Sequence, residues 1–211
     1  IDKLQKATDW MFWFTDAISG DAPNLGGNDG AHVFNLGLDE YRDFRPSVQL
    51  ASMHFYGECY YPQGKWDEQL KWLSDARLVL KYNPKQKVSK LFPQGGYYIH
   101  VSEQPDLYWF MFRLPYYKDR PAHSDAMHFD LWSNGKNFLR DSGSYSYSVG
   151  DKTTLSNLKG VAGHNSVQFD GYDQMPVLGR FLFGCWLRGK WSITNTNENQ
   201  VISASYIDQR K

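Results

Sequence analysis

The chain has 211 residues, and its 23 Lys+Arg balance 23 Asp+Glu to a formal net charge of zero. Such a length suits one large domain or two small ones and can bury a core without disulfides. The charge balance excludes a protein that grips nucleic acid through its phosphates, which needs a basic excess, and no apolar run approaches the length of a membrane span.

Ile1 enters a helical pattern directly. Leu4, Ala7, Met11, Phe14 and Ile18 recur at three- and four-residue steps, which puts them on one helix face ended by Gly20. Pro23 to Gly30 is a loop by every local rule. It lacks the Lys-Ser/Thr of a phosphate loop and follows a helix rather than a strand. Pro46 suits the first turn of a second helix carrying Val48, Leu50, Ala51 and Phe55, and a third helix carries Trp66, Leu70 and Leu73.

Near Arg77 the period changes to two. Tyr97, Ile99 and Val101 alternate with Tyr98, His100 and Ser102. Further strands are expected over Asp106–Leu114 and Ala126–Trp132, with a return strand Lys136–Asp141 after the Asn134-Gly135 hairpin turn. His164–Asp170, Gly179–Leu187, Lys190–Thr194 and Val201–Ile207 complete the run. The spacing predicts stacked antiparallel sheets over residues 77–211 behind a helical segment over residues 1–76, an α+β but mainly β chain. Both ends read as cuts through a longer protein, so the β part is expected to be incomplete at its C-terminus.

Aromatic residues make up 17% of the chain. They suit a β-rich core, and equally a surface on which flat rings stack against sugars. Cys59 and Cys185 are too few for a disulfide framework and read as two free, buried thiols.

The stretch with chemistry in it is Arg120-Pro121-Ala122-His123-Ser124-Asp125-Ala126-Met127-His128-Phe129-Asp130-Leu131-Trp132. In a strand starting at His123, residues 123, 125, 127, 129 and 131 share a face. Met127, Phe129 and Leu131 would point into the core, and His123 and Asp125 would stand side by side at its open end. An imidazole with an adjacent carboxylate suits a metal ligand and the partner that orients it. Asp141 returns across the hairpin, and His164 is a third candidate. Two imidazoles and a carboxylate are a common ligand set for Zn²⁺. A His–Asp pair inside a sheet is also an ordinary satisfied polar pair, and spacing alone leaves both readings open. His128 falls on the opposite face and is expected outside the cluster. His32, His54 and His100 read as surface or core residues.

Three runs together resemble the heparinase II/III-like family of polysaccharide lyases. They are Pro121 to Asp125 with His128 to Trp132, then Leu139 to Tyr147, then His164 to Gly171 followed by Asp173-Gln174-Met175 and Gly179-Arg180-Phe181. Asn28-Asp29-Gly30 and Asp43-Phe44-Arg45-Pro46 fit the end of that family's helical domain. The resemblance implies an (α/α) toroid, of which residues 1–76 are the end, followed by a super-sandwich of β-sheets. It implies β-elimination on uronate-containing acidic polysaccharide, in a periplasmic or secreted setting. It also implies a zinc on His123, Asp141 and His164.

Where some members carry a further catalytic histidine, this chain has Pro121. The toroid's catalytic tyrosine and its partner would lie upstream, so no catalytic residue is assigned. Arg120, Tyr145 and Asn165 flank the cluster and are the candidates to touch saccharide, while Tyr147 reads as packing. Two other readings compete. One is a non-catalytic saccharide-binding or structural module in cell-surface polysaccharide assembly. The other is a sandwich whose His–Asp cluster holds no metal.

Overall fold

The computed structural model describes residues 1–28, 30–31, 36–37, 39–75, 77–103, 108–146, 152–179, 182–195 and 200–207. His32, Tyr147, Arg180, Phe181 and the start of the strand expected at Asp106 lie outside them. The chain divides into two compact units. The first comprises Ile1–Pro23, Ala31–Val88 and Ser133–Lys136; the second comprises Asn24–Gly30, Ser89–Trp132 and Asn137–Lys211. The loop over residues 24–30 thus clusters with the β unit.

The first unit is helical: α1 (Asp2–Phe14), α2 (Arg45–Tyr56) and α3 (Glu68–Leu73). α1 stops at Phe14, six residues before the glycine expected to end it, because Thr15 turns extended and its hydroxyl bonds back to the Met11 carbonyl at 2.8 Å. The buried stripe is accordingly Thr8, Phe12 and Phe14, while Leu4 and Ile18 are exposed. Pro46 sits in the first turn of α2, whose N–H would be unsatisfied in any case. The helices meet over Phe12, Val48, Tyr60 and Tyr61, with Met53, Cys59 and Leu70 alongside. Gln49 stitches this core, accepting the Tyr61 N–H at 2.9 Å and donating to Asp67 at 2.8 Å.

The second unit holds a five-stranded sheet in sequential order: β1 (Lys90–Phe92), β2 (Tyr97–Val101), β3 (Trp109–Arg113), β4 (Phe129–Ser133) and β5 (Lys136–Asn137). β1 to β4 pair antiparallel, with Ile99 opposite Met111 and Met111 opposite Asp130. Asn134 and Gly135 both take positive φ, the conformation the hairpin signal predicts. Two hairpins follow, β6 (Val177–Gly179) with β7 (Leu182–Phe183), and β8 (Arg188–Asn195) with β9 (Gln200–Ile207). Among the described residues no helix is long and apolar enough to cross a membrane.

Several local expectations are corrected. The strand expected from Ala126 begins only at Phe129, because Met127 takes φ 61° and breaks the extended run. The alternation therefore inverts: Asp130 and Trp132 face inward and Phe129 and Leu131 are half-exposed. Residues 164–170 form no strand. The chain instead runs from helix α4 (Lys152–Lys159) through a 3-10 turn, Val161–Gly163. The run expected over Gly179–Leu187 is bent into the β6–β7 hairpin, and the return strand ends at Asn137 rather than Asp141. Cys59 is buried as expected, but Cys185 is exposed on a turn with φ 44°.

Gly96 shows how this sheet constrains its sequence. Its φ is +71°, and an added Cβ would lie 2.6 Å from Arg113 Nη1 and 3.0 Å from the Tyr116 carbonyl. Gly96→Ala is expected to destabilise the protein by about 1–3 kcal/mol, since left-handed strain and a displaced buried guanidinium add. Denaturant unfolding measures it; an unchanged midpoint contradicts this reading of the turn.

Candidate metal centre

Three separate segments supply the cluster, and backbone hydrogen bonds lace them together. The Ser124 N–H donates to the Lys159 carbonyl at 2.8 Å, the Ser142 N–H to Gly163 at 3.1 Å and the Phe129 N–H to Asn165 at 3.0 Å. Gly163 makes this crossing feasible: an added Cβ there would lie 2.4 Å from the Leu158 carbonyl oxygen. His123, Asp141 and His164 end up buried, at 3%, 1% and 8% exposure.

Their donor atoms converge, each residue offering one ligand atom and all of these lying within 4.8 Å of one another. His164 Nε2 is 3.2 Å from Asp141 Oδ2 and 3.3 Å from His123 Nδ1. Neighbouring ligands in a tetrahedral shell with bonds of about 2.0–2.1 Å are about 3.3 Å apart. The hydrogen bonds around the cluster decide which lone pairs face inward. His164 Nδ1 lies 2.7 Å from the Gly160 carbonyl, so it carries a proton and leaves Nε2 bare in the neutral ring. His123 Nε2 lies 3.4 Å from Ser144 Oγ, which leaves Nδ1 for the cluster. Asp141 Oδ1 accepts the Gly143 N–H at 2.6 Å, freeing Oδ2. With His123 in the tautomer that carries its proton on Nε2, three acceptors meet with no donor between them, an arrangement that a metal ion or an added proton satisfies. The donor set and its spacing fit a metal ion.

The titration behaviour follows from this. Burial alone would lower the His164 pKa, but its bond to Asp141 and that residue's charge outweigh burial and raise it. Burial would raise the Asp141 pKa, and the bond and charge of His164 bring it below the usual carboxylate value instead. His123 is pushed down, chiefly by burial, which keeps it neutral and able to ligate.

The loops around the cluster hold it in shape. Asn24 donates to the Asp141 carbonyl at 2.8 Å. Ser144 Oγ receives the Asn28 N–H at 3.0 Å and bonds the Gly26 carbonyl at 3.3 Å. His128 is no ligand, but it lies closer than its strand parity implied. Its ring packs edge-on to His164 at 5.6 Å, Nδ1 accepts the Asn165 N–H at 3.0 Å and Nε2 faces Asp130 at 3.4 Å. With both nitrogens engaged, it wedges His164 in place.

The remaining candidates divide. Asp125 does not sit on His123 as expected from a shared strand face, because residues 123–128 form turns. It accepts the Tyr117 hydroxyl at 2.6 Å and lies 3.6 Å from Arg113 Nε. Arg120 is exposed and lines a cavity with His123. Asn165 is half-buried, its amide donating to the Arg140 carbonyl at 3.4 Å. Tyr145 is 84% exposed, at φ 57°. Ser144 is a site residue that the sequence does not single out, and His128, expected outside the cluster, packs against His164. The Asp-Ser-Gly-Ser run was the available signal for Ser144.

Comparison with known proteins gives a consistent result. A family model described as heparinase II/III-like, C-terminal, matches residues 84–208. No curated protein matches the chain. Among solved structures, a heparan sulfate lyase mutant from Pedobacter heparinus aligns with TM-score 0.57 and 16% identity, over 95% of this chain and 27% of that one. A heparinase III structure aligns with TM-score 0.57 and 18% identity, over 92% of this chain and 29% of that one. The chain thus spans less than a third of the length of these enzymes.

Proposed function

This chain belongs to the heparinase II/III-like family, matching its C-terminal part, and from that premise we propose that it is the metal-bearing β-domain of a polysaccharide lyase. The parent protein would cleave uronate-containing acidic polysaccharide by β-elimination, in the periplasm or outside the cell. An upstream toroid would supply the catalytic tyrosine and its partner. The observation that carries the reading is the convergence of one ligand atom each from His123, Asp141 and His164 in a buried place.

We assign the ion as zinc, which two imidazoles and one carboxylate suit while leaving a fourth position open. When bound, such an ion polarises an oxygen of a bound group or water, or serves only to pin the loops. The chain's own residues do the rest. His164 is held by Gly160 and backed by His128, and Asp141 is aimed by the Gly143 N–H. Elimination also needs the uronate carboxylate neutralised, which a nearby arginine such as Arg120 is suited to do.

The test is absorbance of the unsaturated product when the intact parent protein, supplied with zinc, meets a panel of uronate polymers. Product from one polymer, lost on chelation, supports the reading; saccharide binding with no new double bond on any polymer favours a binding module instead.

Metal binding also carries a pH signature. His164, with its pKa raised above the ordinary 6.5, holds a proton that the ion must displace. In metal-free protein the His164–Asp141 pairing stabilises the fold below pH 6.5 and fades as pH rises through the folded His164 value. The contribution of Asp141 is lost only as pH falls below 3.8, outside this window. Zinc affinity is therefore expected to rise roughly tenfold per pH unit until His164 is deprotonated, and to level off above. Calorimetric titrations at pH 6 and pH 8 check this; equal affinities contradict it.

A further inference from the structure

In the helical unit, ahead of α2 and at the start of α3, a second group of charges collects around Asp39. Its charged neighbours are Asp43, Lys65, Glu68 and Arg45, so three carboxylates face two cations. Asp43 is satisfied, since its two oxygens take Arg45 Nε at 2.8 Å and Nη2 at 2.6 Å. Asp39 is not. Its side chain is only 9% exposed, and its Oδ2 is buried with no hydrogen-bond partner. The Lys65 ammonium stands 3.8 Å from the other oxygen, Oδ1, and 3.6 Å from Asp43 Oδ2, outside hydrogen-bonding distance of both. With 60% of its side chain exposed, Lys65 offers a charge that solvent screens. A bare oxygen on a buried carboxylate is costly, and the groups that relieve it are a proton, a donor or a metal ion.

Glu68, the first residue of α3, brings a second oxygen to the same place. No side chain separates the two acids, because the position beside them is Gly37: an added Cβ there would lie 3.0 Å from Asp39 Oδ2 and 3.4 Å from Glu68 Oε2. We propose that Asp39 Oδ2 and Glu68 Oε2 hold a calcium ion, in a cation site separate from the His123–Asp141–His164 cluster. Donors that are all oxygen select a hard cation rather than zinc. Calcium, with bonds of about 2.3–2.6 Å and a loose shell completed by water, tolerates carboxylates set by two separate segments, whereas magnesium demands near-ideal octahedral geometry at about 2.0–2.1 Å. The ion ties the segment ahead of α2 to the first turn of α3. Nothing in this inference depends on the lyase reading.

The test is an NMR titration of the full chain with calcium chloride and, separately, magnesium chloride. Calcium is expected to shift the amide signals of Gly37, Asp39 and Glu68 saturably, with a Kd on the order of 10⁻⁴–10⁻³ M. Asp39→Asn and Glu68→Gln, which keep side-chain shape, are each expected to weaken binding at least about tenfold. Gly37→Ala is expected to weaken it with every charge retained. Lys65→Gln removes a competing cation from an exposed position and is expected to tighten binding at least about threefold. Asp141→Asn, altered only at the histidine cluster, is expected to bind calcium like the wild type. No saturable shift at these amides, or Asp39→Asn and Glu68→Gln proteins that bind like the wild type, overturns the site. Loss of calcium binding in Asp141→Asn overturns its separateness from the histidines, and equal affinity for magnesium overturns the choice of ion.

Discussion

Replacing Asp141 with asparagine is expected to weaken zinc binding by at least about 100-fold, or about 2.7 kcal/mol. The substitution keeps the shape of the side chain and the oxygen that accepts the Gly143 N–H at 2.6 Å. It removes the one negative charge among the three converging donors. A dication buried against two neutral imidazoles and an amide lacks the compensation that a buried charge requires. Competition with a chromophoric chelator reads the affinity directly. The metal-free variant should also lose the pairing that raises the His164 pKa, so its stability should depend less on pH between 5 and 8. An Asp141→Asn protein that binds zinc like the wild type removes Asp141 from the ligand set.

The second large effect concerns the scaffold. Trp132 is fully buried and stacks on Trp109 with ring centroids 5.2 Å apart. Its indole N–H donates to Asp130, which also receives Asn137 Nδ2 at 3.0 Å and faces His128 Nε2 at 3.4 Å. Trp132→Ala is expected to cost about 3–5 kcal/mol for the lost ring, and about 1–3 kcal/mol more for the buried carboxylate left short of a donor. Against a total stability of about 5–15 kcal/mol this unfolds much of the population. Trp132→Phe separates the terms, keeping an aromatic ring and costing about 1–3 kcal/mol. Because Asp130 and His128 lie behind His164, the alanine variant should lose zinc along with fold, while the phenylalanine variant should keep it. Urea unfolding with and without zinc measures both; a Trp132→Ala protein as stable as the wild type contradicts the packing described here.

The order of helices, then antiparallel strands, was legible because period and punctuation agree along most of the chain. The 3.6-residue pattern gives way to a period of two, although the first strand starts at Lys90 rather than near Arg77, and Asn134-Gly135 makes the turn its residues demand. The three site residues were legible through a family resemblance. Spacing alone could not bring them together, since the contacts joining positions 123, 141 and 164 are long-range backbone bonds.

Parity reasoning failed where one residue left the extended region. Met127 at φ 61° inverted the face assigned to β4, moved Asp125 off the imidazole and hid the packing of His128 against His164. The segment leading to His164 was misread for a similar reason. Gly160 and Gly163 bracket a tight 3-10 turn after a polar helix. The apolar residues beyond it, Val167 and Phe169, suggested a strand, yet both are exposed.

The most direct measurement is the metal content of the purified 211-residue chain after exhaustive dialysis against zinc-containing and then zinc-free buffer. One zinc per folded chain, falling to background in Asp141→Asn and in His164→Ala after the same dialysis, is the predicted result. A wild-type chain that folds, keeps His164 in its raised-pKa, protonated pairing with Asp141 and retains no more zinc than those variants would contradict it: the cation uniting the three side chains would then be a proton.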